Sequence, residues 1–313
     1  KLQKLLIQEV RKENLLILRD DGLGMTKEEF ETRWLTIGTE SKFVNNKTSL
    51  PPKDKSKPLR PVMGEKGIGR LAIASIGKQV LIISKAKQRE KESKIVAAFI
   101  NWELFELPGI NLEDIIIPIK EFEEIPDFIQ FHDLKDEVLN SLINLKDKDI
   151  ISFNDYERIA LSIINFDIDP KELNSNLVGN FKFSENNGGT FFYINPVSET
   201  LIFDIEGDKE TKEATKIEKM LIGFHNTMTP NHPTPVIDIS FRDYRGDDGT
   251  YNNIIDKEQF FTPKEFEIAD HHFEGTFDEY GQFKGNINIY GEILYENHIV
   301  NWNGNNFKET DCG

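Results

Sequence analysis

The sequence predicts an α+β protein, and three observations carry that prediction. Apolar runs of strand character recur at residues 15–19 (LLILR), 80–84 (VLIIS), 95–102 (IVAAFINW) and 189–194 (GTFFYI). Between the third and fourth runs, from His132 to Leu177, apolar residues fall at the three- and four-residue spacing of helices, as in LKDEVLNSLINL and YERIALSIINF. Beyond Pro235 short apolar stretches alternate with glycine turns, which reads as β-rich.

Taken in order, residues 2–10 and 15–19 read as two strands joined by the polar turn Arg11-Lys-Glu-Asn14. A glycine turn follows at Gly22 and Gly24. Thr26-Lys-Glu-Glu29 has the spacing of a capping box, with a hydroxyl at the cap and a carboxylate three residues on. It predicts a helix to about Leu35 that ends at Gly38. Residues 39–61 are polar and contain four prolines, the composition of a long loop rather than an element. A short helix is expected over 70–76, then the strands at 80–84 and 95–102 flanking a charged hairpin at 85–94. Residues 105–125 read as a proline-containing connection, and 132–177 as an inserted helical arm. After the strand at 189–194, residues 211–224 read as an amphipathic helix, and 236–242, 275–277, 283–285 and 286–290 as β segments.

Composition bounds the function. The chain has 313 residues, enough for one large or two ordinary domains, and its 38% apolar content with 23 Phe supports a real core. A net charge of −16 argues against a protein that coats nucleic acid with its whole surface. Against that background residues 42–70 carry eight Lys/Arg and two acidic residues, Asp54 and Glu65. A solvated loop and a mobile lid meeting a triphosphate both fit this excess. Cys312 is the only cysteine, so no disulfide framework exists and a cytoplasmic location is expected. No apolar run approaches the roughly 20 residues that span a bilayer. Lys1 leads directly into structured sequence without a start methionine, so the chain is expected to be a fragment of a longer protein, truncated at both ends.

Two glycine boxes carry the chemistry. Asp20 ends an apolar strand, and Gly22, Gly24 and Met25 follow. A carboxylate there can accept a hydrogen bond from the exocyclic amine of adenine. The glycines clear space for a flat ring, and Met25 can pack against it. An ordinary Asp-Gly turn is the competing reading. The second box, Gly64-Glu65-Lys66-Gly67-Ile68-Gly69-Arg70, offers backbone amides leading into a helix, with Lys66 and Arg70 adding positive charge for phosphate. The P-loop spacing fails because Arg70 and Leu71 replace Lys and Ser/Thr. The dinucleotide fingerprint fits Gly67 to Ala72 but lacks a good strand before it. In this order and separation the boxes point to an ATP pocket.

These motifs resemble those of the GHKL ATPases, the superfamily of gyrase, the ninety-kilodalton heat-shock chaperones, histidine kinases and MutL. Asp20 to Met25 resembles their first glycine box and Gly64 to Gly69 their second. The segment Leu35-Thr-Ile-Gly38-Thr-Glu-Ser41-Lys42 resembles the lid entry of the MORC and topoisomerase VI B branch, and Gly189-Thr190 resembles the late threonine that assists adenine recognition through a water. The resemblance implies a helix-backed mixed β-sheet, the Bergerat ATP-binding fold, over residues 1–228, with a lid at 39–63 and a helical insertion at about 130–178. It implies a transducer-like β region over 229–313. Asp20, Gly22, Gly24, Met25, Gly38, Ser41, Lys42, Gly64 to Arg70 and Thr190 are the ATP-binding residues it implies. The cofactors are ATP and Mg²⁺, and the parent protein is expected to close its lid and homodimerise on ATP, with DNA or another protein as a further partner and no membrane.

In that superfamily a helix before the first box supplies the water-activating glutamate and the magnesium-holding asparagine. The 18 residues between Lys1 and Asp20 read instead as two strands, so Glu9, Glu13 and Asn14 are not given those roles. No catalytic residue and no magnesium ligand is assigned, and hydrolysis is expected of the full-length parent. A nucleotide-binding sensor or scaffold without turnover stays open as the alternative. A histidine-kinase catalytic domain fits less well, because of the helical insertion and the β-rich tail. The histidines lack metal-site spacing: His271 and His272 are adjacent and would point to opposite faces of a strand.

Overall fold

The computed structural model describes residues 14–35, 49–50, 60–61, 72–87, 94–176, 188–207, 214–224, 239–245, 251–254, 270–277, 279, 283–290, 292–300, 302–303 and 306–307. The chain divides into two units. The first comprises Lys1–Leu50, Arg60–Glu218 and Phe241–Ile254, and the second Pro51–Leu59, Lys219–Ser240 and Ile255–Gly313.

A five-stranded sheet organises the first unit. Its strands in chain order are β1 (Leu16–Asp20), β2 (Gly77–Lys85), β3 (Ile95–Asn101), β4 (Ile119–Phe122) and β5 (Gly189–Val197). Their spatial order is β1-β5-β2-β3-β4. All four pairings among the described strands are antiparallel. The last strand to appear is thus threaded between the first two, which brings residues 16–20, 77–85 and 189–197 side by side. β2 and β3 are nearly continuous apolar runs because both sheet faces are covered, so alternation with polar residues is unnecessary.

On one face, Leu81, Ile83, Ala97, Phe99, Phe191 and Tyr193 pack against the helices α3 (Phe128–Asp147), α4 (Phe153–Asn165) and α5 (Pro170–Asn176). These helices occupy the segment expected as an inserted arm. They do not project: Phe131, Leu134, Val138, Ile159, Ile163 and Phe166 belong to the sheet's own core. The sequence spacing that showed helices could not show what their apolar stripe was for, and an otherwise bare sheet face supplies the reason. Lys135 of α3 is buried among them, and its Nζ donates to the carbonyls of Phe166 (2.8 Å) and Ile164 (3.4 Å), closing the end of α4.

The opposite face carries a second core of Val80, Ile82, Val96, Ala98, Ile100 and Ile194. It is covered by Phe30 and Ile73, with Trp34, Ile76 and Met25 half-buried beside them. Phe30 and Trp34 lie on a π-helical turn, Phe30–Trp34, which continues the short helix α1 (Lys27–Glu29), and their rings stack at 5.0 Å. The expected capping box is formed: the Thr26 amide donates to Glu29 Oε2 (3.1 Å) and the Glu29 amide to Thr26 Oγ1 (3.2 Å). Ile73 and Ile76 lie on α2 (Ile73–Ile76), inside the helix expected at 70–76.

Two elements differ from expectation. β4 lies within the supposed connection at 105–125, and α6 (Glu199–Glu206) was not foreseen. The β segment expected at 236–242 is described only from residue 239, where Arg242–Asp243 pairs with Asn252–Asn253. The helix expected at 211–224 is α7 (Lys216–Phe224). Residues 2–10, the other expected strand, lie outside the described residues.

The second unit is β-rich, as expected. Strands β6 (His271–Phe277), β7 (Phe283–Ile289) and β8 (Glu292–Val300) form an antiparallel meander. Register shifts in β7 around Ile287 interrupt its pairing with β8.

Candidate nucleotide site

The site stands at one end of the sheet face that carries α1 and α2. Register places Asp20 opposite Thr190, and Thr190 opposite Ser84. Directly opposed residues share a face, so the three polar side chains form one row across β1, β5 and β2. Two residues further into the sheet the row is Leu18, Phe192 and Ile82, all apolar and all part of the core on that face. The sheet therefore presents an apolar row ending in a polar edge of one carboxylate and two hydroxyls.

The hydroxyls are buried and joined. Ser84 Oγ lies 3.0 Å from Thr190 Oγ1 and 3.2 Å from the Gly189 carbonyl, to which it can donate. It also accepts the amide of Met25 at 2.9 Å. Ser84 thus ties the first glycine box, through Met25, to the strand that carries Thr190. Met25 itself packs half-buried against the apolar core of this face. Asp20 is exposed, and its Oδ1 accepts the Gly22 amide at 2.8 Å, which orients the carboxylate without closing it off from solvent.

The loop between Asp20 and Met25 runs close over the ends of β2 and β5, and glycine makes that possible at two places. Gly24 has φ +63°, and a Cβ there would meet the Lys85 carbonyl oxygen at 1.8 Å. Gly188 is not left-handed but is crowded: its Cβ would meet the Leu23 oxygen, the Lys85 oxygen and the Lys87 nitrogen at 2.7–2.8 Å. The Lys87 amide donates to the Leu23 carbonyl at 2.7 Å, fastening the loop from the other side.

Asp20, Gly22, Gly24, Met25 and Thr190, expected from sequence, are brought together here. Gly38, Ser41, Lys42 and the second box, Gly64, Glu65, Lys66, Gly67, Ile68, Gly69 and Arg70, lie outside the described residues, as does most of the expected lid at 39–63. Sequence reasoning missed Ser84 and Gly188. Each had a local signal: Ser84 is the single hydroxyl closing the run Val80 to Ile83, and Gly188 begins the Gly-Gly pair before Thr190. Among the described residues no three His, Cys, Asp or Glu side chains come together to hold a metal ion, so no role is derived for a magnesium ligand. None of the described helices is long and apolar enough to cross a membrane.

The row fits an adenine nucleotide chemically. It offers a solvent-facing carboxylate to accept from an exocyclic amine, a neighbouring hydroxyl, and a loop without side chains at its closest approach. Residues 4–125 match the family described as histidine kinase-, DNA gyrase B-, and HSP90-like ATPase. The matched stretch holds both glycine boxes, β1, β2 and Ser84; Thr190 lies beyond it and joins the site because β5 inserts between β1 and β2. No curated protein matches the chain.

Proposed function

Starting from a GHKL-type ATPase domain in the first unit, we propose that the Asp20–Thr190–Ser84 row is the adenine-reading edge of an ATP pocket. Asp20 accepts from the exocyclic amine, Thr190 faces the base edge, and Ser84 holds Thr190 and Met25 in place. The box at Gly64–Arg70 and the basic lid at 39–63 receive the triphosphate. ATP-driven lid closure and dimerisation then act as a conformational switch, in a larger assembly that works on DNA or on a protein client. The observation that carries the reading is the abutting of Asp20, Thr190 and Ser84 on three neighbouring strands that are distant in sequence.

Asp20→Asn keeps the size of the side chain and removes its charge. Losing a hydrogen bond to a charged group costs about 1.5–3 kcal/mol, so ATP binding is expected to weaken roughly ten- to a hundred-fold in calorimetry while the melting temperature without ligand is retained. Equal affinities for mutant and wild type would remove Asp20 from the pocket. Phosphate release by the full-length parent separates an ATPase from a nucleotide sensor.

A further inference from the structure

Asp20 is the last residue of β1, and β1 is an edge strand, with β5 as its one neighbour among the described strands. Side chains along it alternate between the two sheet faces. Leu16 and Leu18 pack into the core beneath α1 and α2, while Leu15 and Ile17 pack into the core beneath α3–α5. Both apolar series stop short of the pocket. The last side chain before Asp20 is Arg19, on the α3–α5 face, and it is charged where the alternation calls for an apolar residue.

Arg19 is engaged by two other elements. Phe191, its register partner on β5, is buried, and the Arg19 guanidinium lies over the Phe191 ring, 4.4 Å from the centroid. Arg19 Nη2 donates to Asn174 Oδ1 at 2.6 Å. Asn174 belongs to α5, and its neighbour Leu173 is buried in the α3–α5 core, so the acceptor sits on a packed element. The side chain thus runs from an edge strand, across a buried ring, to a helix distant in sequence. A cation over an aromatic face and a charged hydrogen bond both hold it there. The pull falls on the backbone of residue 19, one peptide from Asp20.

Asp20 depends on that backbone. Its carboxylate is exposed and accepts the Gly22 amide at 2.8 Å, a contact within the same loop that orients the carboxylate locally. Beyond Asp20 the loop is fastened at Leu23 by the Lys87 amide and at Met25 by Ser84. Before Asp20 the fastening is Arg19. Hydrogen bonds weaken steeply as their geometry departs from ideal, so a carboxylate that reads an amine needs its strand end fixed. We propose that Arg19 is a positioning residue for base recognition, a role that rests on Asp20 being the adenine acceptor. By clamping the end of β1 to Phe191 and Asn174, it holds Asp20 abreast of Thr190, where the exocyclic amine is read.

The test measures discrimination between bases. Calorimetry on the 313-residue chain compares ATP with purine riboside triphosphate, which is ATP without the exocyclic amine. Wild type is expected to prefer ATP by roughly ten-fold or more, and Asp20→Asn to lose most of that preference. Arg19→Met keeps an unbranched side chain without the charge. It is expected to cut the preference about three- to ten-fold, the effect of weakening one hydrogen bond, while affinity for the purine analogue stays near wild type. Added to Asp20→Asn it should lower ATP affinity no further, because Arg19 acts through Asp20. Asn174→Ala should act in the same direction, and Asn174→Asp, which keeps an acceptor in the same place, should restore the preference. If melting shows that Arg19→Met does not fold, the two Asn174 variants carry the test. Equal weakening of both nucleotides in Arg19→Met and Asn174→Ala would make Arg19 a stabilising residue only and overturn the proposal, as would a wild-type preference in every folded variant except Asp20→Asn. In both cases a lost preference in Asp20→Asn leaves the ATP reading standing. An unchanged preference in Asp20→Asn, or no ATP binding by wild type, overturns the ATP reading and this proposal with it.

Discussion

Ser84→Ala tests whether the polar row is a working unit. The substitution deletes one oxygen and leaves no sizeable cavity, so its effect comes from hydrogen bonds. That oxygen accepts the Met25 amide at 2.9 Å, shares a proton with Thr190 at 3.0 Å and reaches the Gly189 carbonyl at 3.2 Å. A net hydrogen bond is worth about 1 kcal/mol, and an orphaned buried group costs about 1–3 kcal/mol. The Ser84–Thr190 contact is buried, whereas the Met25 amide is only part-buried and recovers some hydration. A loss of about 2–3 kcal/mol in the unfolding of the first unit follows, which is roughly 4–12 °C in melting temperature for a domain of this size. ATP affinity should fall as well, by about five- to ten-fold, because Thr190 loses the partner that fixes its hydroxyl. The decisive measurement is a double-mutant cycle with Thr190→Val, read in both unfolding and ATP calorimetry. Residues sharing a hydrogen bond should couple by about 0.5–1.5 kcal/mol, so Ser84→Ala should cost less in the Thr190→Val background. Strictly additive effects on ATP affinity would show that Ser84 does not act through Thr190, and an unchanged melting temperature would show that the row does not hold the loop.

Two further outcomes follow from the same region and its surroundings. Gly24→Ala combines a left-handed φ of +63° with a Cβ 1.8 Å from the Lys85 carbonyl oxygen, so it should destabilise by more than about 2 kcal/mol and abolish ATP binding; a wild-type melting curve would show that the box does not sit against β2. The Asp243 carboxyl is raised by burial but lowered by more through its bonds to Arg245, leaving it below the ordinary aspartate value. A depressed folded pKa means that its contribution to stability is complete above about pH 4 and is lost as pH falls through the folded value. Unfolding midpoints of wild type and Asp243→Asn should therefore differ at pH 7 and converge in acid, and a gap that persists to the lowest pH would refute the Arg245 bond as its source.

What the sequence disclosed about the site depended on whether the chemistry was local. Asp20, Gly22, Gly24 and the Thr26 capping box lie within ten residues, and backbone demands there are written directly in residue type: a left-handed turn needs glycine, and a helix start wants a hydroxyl followed by a carboxylate. Thr190 was legible only through resemblance, since nothing near it in the chain hints at Asp20. Ser84 showed in the sequence only as a hydroxyl closing an apolar run, because its role exists only once β5 separates β1 from β2 and puts three distant residues abreast. The order of strands is a tertiary fact that hydrophobic periodicity does not encode.

The same limit explains the helical segment and, through it, the division of labour across the sheet. Periodicity located helices in the stretch 132–177 correctly but treated them as an appendage, because a stripe of apolar residues does not name the surface it covers. Covering one face with α3–α5 frees the other face to end in polar residues, and it brings Arg19 and Asp20, adjacent on one edge strand, into two unrelated environments. On one side a carboxylate meets hydroxyls beside a glycine loop; on the other an arginine meets Phe191 and Asn174. A strand with period two serves both faces with consecutive residues, so a one-residue slip of β1 would exchange Arg19 and Asp20 between them and undo the Asp20–Thr190–Ser84 row.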